Sequence, residues 1–123
     1  MISFEASVPK KLLEIRYSGV VRGEDCEKGL EQLRASLDQL EAGFRVLVDL
    51  TELESMDVEC APFVEKAMDL CNERRASTVV RVIPDPRRDI GMTIMSVFHY
   101  RGDVRIITCQ SIAEADQILS SDS

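Results

Sequence analysis

The residues of this chain able to do covalent or acid–base chemistry are few and scattered. His99 is its one histidine, so any catalytic triad or histidine-assisted proton transfer must pass through that position, near the end of a stretch with helical periodicity. A histidine there is ordinarily held by the last carbonyls and the negative end of the helix dipole. Cys26, Cys60, Cys71 and Cys109 lie 34, 11 and 38 positions apart, without the two-residue spacing of zinc knuckles or thioredoxin-like sites. They read as reduced thiols, and no metal or cofactor is expected. Cys60 is the best nucleophile candidate, because the first turn of a helix presents free N–H groups that stabilise a thiolate. Asp57 and Glu59 fall in the same turn, however, and each opposes the thiolate by about the 0.3–1 kcal/mol that the dipole supplies. Cys60 therefore reads as a small core residue rather than a catalyst, and the chain as no enzyme. The six glycines never gather into G-x-G-x-x-G or a P-loop, which removes the known phosphate cradles.

Charge narrows the partners. The formal net charge is -7, from 15 basic and 22 acidic residues, which repels polyphosphates and anionic bilayers. Two tyrosines, four phenylalanines and no tryptophan offer little for stacking on single-stranded bases. Nucleic acid is thus disfavoured as a partner, leaving proteins and small molecules. Charge is also unevenly distributed: residues 1–73 carry -8, residues 74–109 carry +4 and residues 110–123 carry -3. The positive block is all arginine, and Arg87 with Arg88 at an expected helix start forms a candidate site for a small anionic ligand. Pairing of these arginines within the chain is the plainer alternative. A secretory signal is not expected from the opening residues, Met1–Lys11, which reach charge at Glu5. The longest apolar stretch, Ile90–Phe98, is about half of what a membrane helix needs, so membrane insertion is not expected and a cytoplasmic location is.

These residues must be positioned by elements that the apolar pattern outlines. Ile2–Val8 and Lys11–Val21 read as two strands joined in a tight hairpin. From Glu24 to Leu40, Cys26, Leu30, Leu33, Leu37 and Leu40 advance by 4, 3, 4 and 3, one face of a helix that Gly43 is expected to end. The charged residues between them read as its solvated face. Phe44–Leu50 has the density of a strand buried on both sides. A linker, Thr51–Met56, is expected to lead to a second helix starting near Asp57–Ala61, with Pro62 in its first turn. Val79–Ile83 is the next strand, a short helix is expected over Ile90–Tyr100 and closed by Gly102, and Val104–Thr108 is the last strand. Ser111 with Glu114 is a capping-box start for a helix through Leu119, leaving Ser120–Ser123 as a frayed tail. The order β-β-α-β-α-β-α-β-α predicts a single α/β domain over residues 1–119, with a mixed sheet that opens on an antiparallel hairpin and continues in parallel.

One short motif carries more. Asp49–Pro62 reads D-L-T-E-L-E-S-M-D-V-E-C-A-P after the buried strand. It resembles the STAS domain family, the fold of bacterial SpoIIAA-like anti-sigma-factor antagonists and of the cytoplasmic domain of sulfate transporters. In that family the central strand ends in Asp-Leu-Ser/Thr, and a helix opens with Asp-Ser-Ser/Thr-Gly after a linker. Asp49, Leu50 and Thr51 match the strand end, Met56 and Asp57 match the pair before the helix, and Ser111, Glu114 and Ala115 resemble the family's last helix. The resemblance implies a protein partner, an anti-sigma-like regulator or kinase, docked on Thr51, Ser55, Asp57, Val58, Glu59 and Cys60. It leaves self-association as a homodimer open.

The departures matter as much as the matches. Val58 and Glu59 stand where the family has the hydroxyls that a kinase phosphorylates, and Cys60 stands where it has glycine. Glu59 either supplies a fixed charge in place of a phosphate, one unit against about 1.5 to 2, or is simply a first-turn carboxylate. Thr51 and Ser55 are nearby hydroxyls away from the helix-opening position. Two functions follow from the resemblance: a non-enzymatic regulatory interaction module, or a carrier or sensor of a nucleotide- or lipid-type anion held by Arg87 and Arg88 beside the Ile90–Phe98 segment.

Overall fold

The computed structural model describes residues 1–85 and 104–121. Strand β1 (Ile2–Ser7) pairs antiparallel with β2 (Leu12–Val21), from Ile2 opposite Tyr17 to Ser7 opposite Leu12. Pro9 sets the backbone of the connecting turn, which closes where Lys11 N–H donates to the Val8 carbonyl at 3.1 Å. Alternation along β2 sends Leu13, Ile15 and Tyr17 into one core and Leu12 toward another.

Helix α1 (Gly23–Leu37) follows, with Cys26, Leu33 and Leu37 buried and Leu30 partly so. The Asp25 carboxylate accepts Arg22 N–H at 3.0 Å at its start, satisfying a donor that the helix leaves open. The helix ends earlier than the apolar period suggests. Leu40 keeps that period and packs on the core, but Gln39 and Leu40 donate three residues back, to Ser36 and Leu37, which tightens the chain out of the α-helix. Gly43 is therefore not the helix cap. At φ +92° it serves the turn into the next strand, where its N–H donates to the Arg75 carbonyl at 2.8 Å.

Strand β3 (Arg45–Met56) runs parallel to both β2 and the short β4 (Thr78–Val82), and β5 (Arg105–Cys109) lies beyond β4, giving the order β1-β2-β3-β4-β5. The central strand is buried on both faces from Val46 to Leu50, as its composition predicts. The expected linker over 51–56 is instead strand: Glu52, Leu53, Ser55 and Met56 pair with Ser18, Gly19, Val20 and Val21. Since β2 extends that far, its backbone groups need ladder partners, and β3 supplies them. Two register shifts interrupt the pairing, between Arg16 and Ser18 and between Gly19 and Val20. Each inserts one extra residue in β3 and breaks the period of two by which a strand is recognised.

A single 3₁₀ turn (Val58–Cys60) leads into α2 (Ala61–Glu73), with Pro62 in its first turn as predicted. Phe63, Val64, Ala67, Met68 and Cys71 form its buried stripe. The chain leaves α2 through Arg75, at φ +64°, and Ala76 N–H reaches back to the Cys71 carbonyl at 3.0 Å. Helices α1 and α2 cover one face of the sheet and approach closely at Gly29. A β-carbon there would sit 3.3 Å from the Phe63 ring and 3.4 Å from the Phe4 ring. Helix α3 (Ile112–Ser121) covers the other face, packing Ala115 and Leu119 on Leu47, Val80 and Val82. Ser111 caps it, its hydroxyl oxygen accepting Glu114 N–H at 3.2 Å. Ser120 and Ser121 belong to this helix rather than to a frayed tail, and Ser121 Oγ donates to the Gln117 carbonyl at 2.8 Å. The helix expected over Ile90–Tyr100, with His99, Arg87, Arg88 and Gly102, lies outside the described residues, as do Asp122 and Ser123.

Candidate functional site

The motif segment begins at a buried carboxylate. Asp49 is 3% exposed at the point where β3 takes its first extra residue. Its Oδ1 accepts both the backbone N–H of Thr51 at 2.9 Å and the Thr51 hydroxyl at 2.7 Å. Its Oδ2 accepts Arg16 Nε–H at 3.2 Å, and Arg16 also donates to Glu14 Oε1 at 3.0 Å. The carboxylates of Glu14 and Asp49 raise the Arg16 pKa still further above its ordinary value. A bulge disrupts the ladder locally, and here the Asp49 side chain replaces the ladder partner that Thr51 N–H would otherwise have. The Asp-Leu-Thr run is therefore a lock on the path of the chain, and the Thr51 hydroxyl is engaged in it.

Beyond the lock the chain stays at the surface. Glu52, Glu54 and Ser55 are exposed, with Leu53 turned into the core between them. Asp57 N–H donates to the Val21 carbonyl at 3.0 Å and Cys60 N–H to the Asp57 carbonyl at 2.9 Å, which folds the 3₁₀ turn back against the end of β2. Asp57, Val58 and Glu59 are exposed on that turn, Val58 to 90%. Thr51, Ser55, Asp57, Val58 and Glu59 thus share the surface at the carboxyl end of the central strand. Cys60 does not present its side chain there: it is fully buried, with its thiol directed at the Val21 carbonyl at 3.7 Å.

Glu59 reaches sideways. Its Oε2 lies 3.1 Å from where a β-carbon on Gly23 would be, so the carboxylate rests over the first residue of α1. That is the positive end of the α1 dipole, where an anionic side chain is stabilised by about 0.3–1 kcal/mol. Glu59 therefore belongs to two helix starts at once, its own and that of α1.

The thiols are arranged for packing. Burial, reinforced by the neighbouring Cys60 and then by Asp25 and Asp57, pushes the Cys26 thiol up to about 12. Burial also raises Cys109, against a smaller lowering from the Ser111 backbone, and raises the Tyr17 phenol, with Cys26, Cys71 and Cys60 adding to it. All four cysteines are free and buried. The nucleophile is the thiolate, so at pH 8 the native protein is expected to react with a chromogenic disulfide reagent no faster than it unfolds, and to titrate four thiols in denaturant. Rapid labelling of one native thiol would contradict this. Among the described residues no three His, Cys, Asp or Glu side chains cluster to hold a metal, and no helix is long and apolar enough to cross a membrane.

Two features escaped sequence reasoning. Val20, beside Ser55 in the sheet, is 45% exposed. The Val20–Val21 pair signalled this, because only one of two successive strand residues can face a given core. The second is a groove of about 280 Å³ between the starts of α1 and α2. Cys26, Leu30, Pro62 and Phe63 form its apolar lining, and Glu27, Glu59 and Lys66 its charged edges. No sequence pattern reports it, since it depends on how two helices cross. A wider cleft of about 890 Å³ lies at the opposite, amino end of the parallel strands, beside Lys10, Lys11 and Arg45. Its Arg45 guanidinium is engaged with the Leu119 and Lys10 carbonyls. Ligands of open parallel sheets bind at the carboxyl end instead.

No protein-family profile matches this sequence, and no curated protein does. Solved structures do match. An uncharacterized protein from Shewanella loihica PV-4 with a SpoIIAA-like fold superposes with a TM-score of 0.69 at 18% identity, over 97% of this chain and 92% of that one. The unphosphorylated form of the anti-sigma factor antagonist SpoIIAA matches with a TM-score of 0.67 at 13% identity, over 100% of both chains. An anti-sigma factor antagonist from Mycobacterium paratuberculosis matches at 0.59 and 15% identity, over 98% of this chain and 95% of that one. The chain has a SpoIIAA-like fold, as the Asp49–Pro62 motif implies.

Proposed function

We propose that this protein is a non-enzymatic regulatory module that docks a partner protein through the carboxyl end of β3, the 3₁₀ turn and the start of α2, in the manner of an anti-sigma-factor antagonist. The observation that carries the reading is Val58, an aliphatic side chain 90% exposed at the apex of that turn on a fold shared with anti-sigma factor antagonists. Covering such a side chain is worth about 1.5–3 kcal/mol. Two residues of this surface depart from the family pattern. Val58 and Glu59 leave no hydroxyl at the helix opening, and the Thr51 hydroxyl is bonded to Asp49. Docking is therefore not switched by phosphorylation at the helix opening, and Glu59 holds a constant charge there.

The test is affinity capture from the source cell with the full chain and with Val58→Asp, Glu59→Ala and Glu59→Ser variants. One protein retained in stoichiometric amount by the parent and lost with Val58→Asp is the expected result. Equal capture by the parent and Val58→Asp would remove the surface from consideration. Capture by both Glu59 variants equal to that by the parent would remove any role for that charge.

A further inference from the structure

The surface around Val58 is chemically one-sided. Residues 51–61 carry Glu52, Glu54, Asp57 and Glu59 and no lysine or arginine, and all four carboxylates are exposed. The opening of α1 stands beside them, since Glu59 touches the position of Gly23, and it adds Glu24 and Glu27. Arg22, Lys28 and Lys66 only partly offset these charges. The groove between the two helix starts opens within this acidic field, with Glu27 and Glu59 against the single cation Lys66 on its edges and Leu30 and Phe63 in its lining. Its volume is about 280 Å³. A large apolar side chain fits such a space.

Resting on the docking function above, we infer that the partner presents a cationic segment with one large apolar anchor: the anchor enters the groove between α1 and α2, and flanking lysines or arginines face Glu27, Glu59, Asp57 and Glu54. The assignment follows from complementarity. An acidic or neutral segment would leave these carboxylates facing like charge or desolvated without partners, and like-charge juxtaposition disfavours the wrong partner. The rim charges set encounter rate and salt dependence, and the anchor sets residence time.

The probe is a synthetic Leu/Lys amphipathic peptide, titrated into the isotopically labelled full chain and followed by amide chemical shifts. Control peptides of equal length replace leucine by alanine or lysine by glutamate. Shifts concentrated in residues 23–30 and 52–66 are expected. Binding should be at least tenfold weaker for the Ala/Lys peptide, absent for the Leu/Glu peptide, and at least tenfold weaker for the Glu27→Lys, Glu59→Lys double variant, whose far-ultraviolet dichroism and melting serve as the folding control. Shifts spread over the whole acidic half, equal binding of the Ala/Lys peptide, or no binding of the Leu/Lys peptide would overturn the inference. None of these results touches Val58-dependent capture, so the docking function and the cationic anchor fail separately.

Discussion

Phe44→Ala is expected to lower the stability of this protein by about 3–5 kcal/mol. Phe44 stands immediately before β3 and is completely buried, in the same core as Leu33, Leu37, Val46 and Val79. Its backbone is held independently: the Phe44 carbonyl accepts Ser77 N–H at 2.8 Å and the Ser77 hydroxyl at 3.2 Å. The chain entering β3 is thereby tied to the chain entering β4, which limits how far the backbone moves into the space that alanine leaves, so the cavity cost adds to the transfer cost. Stabilities of domains this size are about 5–15 kcal/mol, so a large share of the total is at stake. The measurement is urea unfolding: the midpoint should fall with the slope unchanged, because the loss is in the native state. A loss under about 1 kcal/mol would mean that the core repacks around the site.

The parts of this fold that were legible in the sequence are those whose apolar period survives unbroken. The first hairpin, the stripe of α1 from Cys26 to Leu37, the doubly buried Val46–Leu50 and the Ser111 cap all follow from spacing, and the structure places each of them. Failures occur where tertiary pairing overrides the period. Glu52–Met56 is hydrogen-bonded strand, yet two bulges space the inward-facing Leu50, Leu53 and Met56 three apart, which reads as loop. Leu40 keeps the helical period after the α-helix has ended. The candidate surface divides in the same way. The exposure of Asp57, Val58 and Glu59 follows from their place at a helix opening, whereas the contact of Glu59 with α1 and the Arg16–Asp49 pair, 33 residues apart, are products of folding that no local pattern encodes.

Asp49→Ala should be the most damaging polar substitution, at about 2–3 kcal/mol, and the distribution of that cost among its partners can be reasoned out. Three hydrogen bonds end on the Asp49 carboxylate. The one from Arg16 contributes least, because the Arg16 side chain is 50% exposed and keeps Glu14 as a partner, and ion pairs with a solvated member are worth roughly 0–1 kcal/mol. The weight falls on Thr51. Its backbone N–H sits in the bulge, and removing an acceptor from a partly buried donor costs about 1–3 kcal/mol. Asp49→Asn keeps an oxygen for that N–H and loses only the charge, so it should recover half or more of the loss. If instead asparagine is as damaging as alanine, the Arg16 pair outweighs the bulge and the division is wrong. Hydrogen exchange supplies the local readout: the Thr51 amide should lose protection in Asp49→Ala far more than amides in α3, which packs on the opposite face of the sheet from α1 and α2. Because the bulge sets the path of residues 52–59, Asp49→Ala should also weaken partner capture while leaving every exposed residue of the docking surface in place, which separates the geometry of that surface from its composition.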